Sequence, residues 1–138
     1  LKLGKEKEAV QYFEKVTPQN KQTLSVLADY YLRTKKHEKA LTYYRKIVKL
    51  EPKKASSYVS LGLAYAANKN YDKAIENYLT ALKFEKEDDE IFANLGEAYE
   101  KKGMYPEALK AYKAAYEINP DTKVASRIPR LRIQMMQQ

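Results

Sequence analysis

The chain has 138 residues, 44% hydrophobic and 32% charged, with four glycines, five prolines and no cysteine. This suits one compact domain or a short array of solvated helices; it excludes disulfides, thiolate catalysis and cysteine metal sites, and a single His37 excludes a histidine-rich metal cluster. Of the net charge of +8, four units come from Lys123, Arg127, Arg130 and Arg132 in an acid-free C-terminal stretch, and the rest of the chain is nearly balanced, a pattern of solvated faces plus a basic tail.

No apolar run is long enough to cross a membrane. The chain starts at Leu1 rather than at a methionine, so a cut or processed start inside a structural unit is expected. Gly4, Ala9, Phe13 and Val16 have the spacing of a second helix, and residues 1–18 are read as the second helix of a truncated N-terminal repeat. From Ala9 to the matching Ala40 is 31 residues. The Thr17–Pro18 junction is therefore expected to be short and to alter the angle between this helix and the rest.

Beyond it the sequence repeats. LADYYLRTKKHEKAL at 27–41, LGLAYAANKNYDKAI at 61–75 and LGEAYEKKGMYPEAL at 95–109 align with a period of 34 and no insertion. Leu27, Leu61 and Leu95 match, as do Ala28, Gly62 and Gly96, then Tyr31, Tyr65 and Tyr99. Ala40, Ala74 and Ala108 follow, and Tyr44, Tyr78 and Tyr112. Each unit predicts two amphipathic helices joined by a short polar turn, because large apolar residues recur at helical spacing on both sides of that turn. Pro52 and Pro120 end two of the units, where a missing N–H stops a helix.

These residues resemble the tetratricopeptide repeat (TPR), with its 34-residue period, its aromatic-x-x-Leu-Gly-x-x-Tyr first helix, its Ala-x-x-x-aromatic second helix and a closing proline. Residues 21–54, 55–88 and 89–122 form three such units, departing from the pattern at Ala28, which replaces the glycine, and at Lys86, which replaces the proline. The resemblance implies an all-α fold, a right-handed superhelical solenoid of antiparallel helix pairs. Residues 123–138 are read as a capping helix or basic tail, with a stripe of Val124, Ile128, Leu131 and Met135 that Pro129 is expected to kink or split.

Most candidate chemistry dissolves into this period. The thirteen tyrosines suggest stacking platforms, but six of them fall at inter-helix core positions and Tyr71 and Tyr105 fall at the turn. His37 shares that turn position and is read as a packing aromatic. The run EKEDDE at 85–90 lacks the alternating ligands of a calcium loop and is read as a helix cap. Phosphate-cradling loops, a nucleophile elbow and HExxH are missing, so neither catalysis nor a cofactor or metal is expected.

Function is then expected on the face that each first helix turns away from its core. In the family, the resemblance implies, these residues line a concave groove. They are Gln22, Ser25, Asp29 and Leu32; Ser56, Val59, Leu63 and Ala66; Glu90, Ala93, Glu97 and Glu100. Leu32, Val59, Leu63 and Ala66 suggest a shallow apolar strip with acids at both ends. It suits a protein or peptide ligand with apolar anchors and some positive charge. The clamp by which some TPR domains hold acidic chaperone C-termini uses lysine, arginine and asparagine, whereas the matching places here hold Ser25, Asp29, Ser60, Glu90 and Asn94. A chaperone C-terminal carboxylate is not expected. The main reading is a non-catalytic interaction scaffold. The alternative is a nucleic-acid-binding or self-assembling helical-repeat module using the basic tail, although the strict period disfavours nucleic acid.

Overall fold

The computed structural model describes residues 2–16 and 19–138, and the expectation about the Thr17–Pro18 junction lies outside them. Among the described residues eight helices follow one another: α1 (Lys2–Lys15), α2 (Lys21–Arg33), α3 (His37–Leu50), α4 (Ala55–Ala67), α5 (Tyr71–Phe84), α6 (Asp89–Lys101), α7 (Tyr105–Ile118) and α8 (Arg127–Met136). The pairs α2/α3, α4/α5 and α6/α7 are the helical hairpins, and each second helix packs on the first helix of the next unit. The result is an all-α helical solenoid.

Local signals explain where the helices begin and end. Asp88 accepts from the backbone N–H of Glu90 at 2.9 Å and of Ile91 at 3.2 Å, so the acidic run does cap α6. Asn20 forms a capping box with Thr23, accepting its N–H at 2.9 Å while the threonine hydroxyl receives the Asn20 N–H at 3.1 Å. The second helices stop at Leu50, Phe84 and Ile118, one register in all three units. Lys86 in place of proline therefore does not lengthen α5. The turn within each hairpin needs one left-handed residue, supplied by Lys35 (φ 60°), Lys69 (φ 60°) and Gly103 (φ 77°).

Packing follows the period. Leu27, Ala28, Ala40, Ala74, Tyr78, Ala108 and Tyr112 have 1% exposure or less. Gly62 and Gly96 sit where a Cβ would meet a tyrosine ring of the paired helix, at 2.6 Å from Tyr78 and 2.5 Å from Tyr112. Small residues there let the hairpin close around a large aromatic. In α1 Val10 is buried, whereas Ala9, which matches the fully buried Ala40, is exposed. Among the described residues no helix precedes α1 to cover Ala9. α1 is tied to α2 by Glu14, which accepts from Tyr31, and by the Glu6–Arg33 ion pair, and to α3 by Glu14 accepting from Tyr43 at 3.3 Å.

Pro129 does not kink or split the last helix. It lies in the first turn of α8, where its missing N–H has no intrahelical partner to lose. The expected stripe is shortened, because the helix starts only at Arg127. Val124 (0% exposed) and Leu131 (1%) are buried in one cluster with Ala93, Ala108, Tyr112 and Ala115, so this segment covers the end of the third hairpin.

Candidate functional site

Among the described residues, three clefts follow one another along the array, two between successive first helices and one between α6 and α8. The first, about 230 Å³, lies between α2 and α4 and is lined by Lys21, Ser25, Asp29, Tyr44, Ser57 and Ser60 among others. A second of about 710 Å³ lies between α4 and α6, where Val59, Ser60, Phe84, Glu90 and Ile91 face it. Between α6 and α8 lies the third, about 550 Å³, with Glu97, Glu100, Tyr105, Arg127 and Arg130 on its walls.

The twelve residues singled out from the sequence divide among these clefts. Ser25, Asp29 and Ser56 come together at the first, Ser56, Val59 and Glu90 at the second, and Glu97 and Glu100 at the third. Gln22, Leu32, Leu63 and Ala66 line none of the three. The apolar strip is narrower than expected: Leu32, Val59 and Ala66 are half-buried against the core, and Leu63 alone is well exposed, at 44%. Ala93 has to be withdrawn from the surface. It is 1% exposed, in the cluster that contains Val124 and Leu131, because a small side chain under α8 has no route to solvent.

The polar geometry repeats from unit to unit with changes. Tyr44 Oη donates to Asp29, and Tyr112 Oη donates to Glu100 at 2.7 Å. Burial, reinforced by these carboxylates, holds both phenols well above the ordinary tyrosine range. Tyr78 is raised by burial and by Glu97. In the third unit the acids are already paired. Arg127 lies 3.0 Å from Glu97 and donates to Tyr112 Oη at 3.3 Å, and Arg130 lies 3.1 Å from Glu100. Gln134 adds a bond to Tyr105 Oη at 3.0 Å.

Sequence reasoning missed this pairing. A signal was present, since Glu97 and Glu100 are three apart on one helix and Arg127 and Arg130 three apart on another. The acids at 88–90 do not converge on a common point: Asp88 caps α6 and Asp89 accepts from Asn119 at 3.1 Å. Among the described residues, no helix is long and apolar enough to cross a membrane.

Comparison with known proteins bears on this arrangement. A family model described as "TPR repeat" matches residues 62–103, and one described as "Tetratricopeptide repeat" matches residues 90–122. A model described as "Anaphase-promoting complex, cyclosome, subunit 3" matches residues 2–81, more than half of the chain. The curated "Protein CTR9 homolog" of Arabidopsis thaliana is 46% identical over 65 residues, which is 45% of this chain and 6% of that protein. The chain thus spans only a small part of that relative.

Among solved structures, "First TPR of Spaghetti (RPAP3) bound to HSP90 peptide SRMEEVD" superposes with a TM-score of 0.77 at 18% identity, over 88% of this chain and 97% of that one. "Arabidopsis OM64 TPR domain" gives 0.73 at 22% identity, over 81% and 93%. "MamA MSR-1 C2" gives 0.73 at 24% identity, over 86% and 70%. Identities this low speak for the fold alone. Period, paired helices and family models agree, and the chain belongs to the tetratricopeptide-repeat family.

Proposed function

We propose that the chain is a non-catalytic protein-interaction scaffold that takes a peptide or extended partner segment along the face of α2, α4 and α6. The observation that carries this reading is the row of clefts along the array, of which the two between successive first helices contain no segment of the chain's own tail. Their walls combine Val59, small hydroxyls and the carboxylates of Asp29 and Glu90 with Lys53 and with Lys21 and Lys54, both of which pair with Glu51, and Leu63 lies nearby on α4. A ligand with apolar anchors and positive charge matches that set. An acidic C-terminus matches it poorly, because Ser25, Asp29, Ser60, Glu90 and Asn94 offer no cation. The HSP90 peptide bound by the RPAP3 relative and the multi-subunit assembly in the matching family's name both support a role in holding proteins together.

The basic tail supports a nucleic-acid reading weakly. Arg127 and Arg130, half of its cations, are engaged with Glu97 and Glu100. The test is the pair Val59→Glu with Leu63→Glu, read by helicity, melting and capture of partners by the immobilised protein. Loss of captured proteins with helicity retained and a lowered melting temperature, from the half-buried Val59, is the expected result. If capture persists with the fold intact, the groove is not the binding surface.

A further inference from the structure

The third repeat displays an arginine seated on this face. Arg127 is 3.0 Å from Glu97, donates to Tyr112 Oη at 3.3 Å, and holds its guanidinium carbon 6.0 Å from the centre of the Tyr112 ring. Two periods earlier, Asp29 and Tyr44 occupy the positions of Glu97 and Tyr112. Tyr44 donates to Asp29, yet among the described residues no cationic side chain forms an ion pair with that carboxylate. Lys21, which lines the notch, is 2.7 Å from Glu51, and Arg33, one turn along α2 from Asp29, pairs with Glu6.

Where α8 presents Arg127 to the third repeat, α4 presents hydroxyls to the first, from Ser56, Ser57 and Ser60. Ser57 is 3% exposed and its Oγ has no hydrogen-bond partner, although it lines the notch. A buried hydroxyl without a partner is uncommon and calls for one. The notch measures about 230 Å³. That is below the roughly 300–1,000 Å³ of sites for whole small molecules and suits a single side chain. The middle repeat is a built-in contrast, with Leu63 at the acid's position.

We propose that the notch between α2 and α4 receives an arginine side chain of the partner, its guanidinium paired with Asp29 beside Tyr44 and its remaining donors met by serine hydroxyls. This rests on the groove reading above and names the chemistry of one of its subsites. Arginine fits better than lysine because a planar fork of five donors can meet a carboxylate, a phenol oxygen and several hydroxyls at once.

The experiment is selection of a random displayed peptide library on the intact chain, followed by synthesis of the enriched peptide with arginine or with citrulline, its neutral isostere. An arginine at a fixed position is expected, and citrulline should weaken binding by at least about tenfold. Asp29→Asn should lose the same factor for the arginine peptide and should bind the citrulline peptide as wild type does, since the two changes remove one interaction. Asp29 is exposed, so the fold is retained, checked by circular dichroism. Peptides enriched without arginine overturn the arginine subsite and leave the groove standing. So does a citrulline effect of equal size on wild type and Asp29→Asn. Selection of no peptide, or of peptides indifferent to Val59→Glu with Leu63→Glu, overturns the groove and the subsite together.

Discussion

A methyl group on Gly96 would lie 2.5 Å from the ring of Tyr112, a side chain with 0% exposure. The glycine of α6 and the tyrosine of α7 therefore form one packing unit. The ring cannot retreat, because its hydroxyl is also held between Glu100 and Arg127. Gly96→Ala recovers about 1 kcal/mol of helix propensity, while overpacking a filled core costs about 1–3 kcal/mol. The expected outcome is a net loss of about 1 kcal/mol in urea unfolding, with a milder loss for Gly62→Ala. A more stable Gly96→Ala would remove the packing explanation for this glycine.

Lys69 is held at φ 60° in the turn of the second hairpin, the place where Gly103 stands in the third. A side chain in the left-handed region costs about 1 kcal/mol, partly offset by the greater unfolded-state freedom of glycine. Lys69→Gly is expected to raise stability by about 0.5 kcal/mol, and Gly103→Ala to lower it by about 1 kcal/mol, both measured by thermal melting.

α8 is held by apolar burial more than by charge. Leu131 is 1% exposed, so Leu131→Ala should cost about 2–4 kcal/mol. Arg127→Ala breaks a pair whose side chains are 35% and 36% exposed, and should cost under about 1 kcal/mol. In an array the damage stays local. Amide exchange should speed up in α8 and at the end of α7 while α2 to α5 keep their protection. Uniform acceleration across all helices would show that the segment is coupled to the whole array.

The buried phenols predict an alkaline transition. Tyr31, Tyr44, Tyr78 and Tyr112 are each raised above 10.0, first by burial, and for three of them next by a hydrogen-bonded carboxylate. A folded-state value above the unfolded one means the stabilisation is complete below pH 10 and is lost as pH rises beyond it. Each such tyrosine should subtract about 1.4 kcal/mol per pH unit there. Tyrosinate absorbance from these four should therefore appear together with loss of helicity. Titration of all thirteen tyrosines near pH 10 with the helices intact would contradict the burial of these hydroxyls.

The fold was legible because it is written periodically. A residue such as Leu61 or Tyr78 must pack against its neighbours in every unit, so the same demand reappears each 34 residues and stands out without an alignment. Caps are partly legible: the acidic run that holds Asp88 marks the start of α6, while the Asn20–Thr23 box lacks the usual sequence signature because Thr23 replaces the glutamate or glutamine.

The candidate site was only half legible. Helical phase identified the side of α2, α4 and α6 that turns outward, since 3.6 residues per turn set which residues share a face. It could not give the depth of each residue, which depends on what the next helix brings. Ala93 vanished under α8, Val59 sank into a cleft, and Glu97 and Glu100 met the chain's own arginines.

Periodicity and local chemistry alone thus settled the hairpin architecture, the packing tyrosines and the small residues opposite them, because those demands act within a few residues or recur at one spacing. Tertiary structure decided which acids remain open. Asp29 and Glu97 hold the same place in their repeats, but only the arrival of α8 gives Glu97 a partner, since ion pairing depends on an approach between segments 30 residues apart that no local pattern encodes.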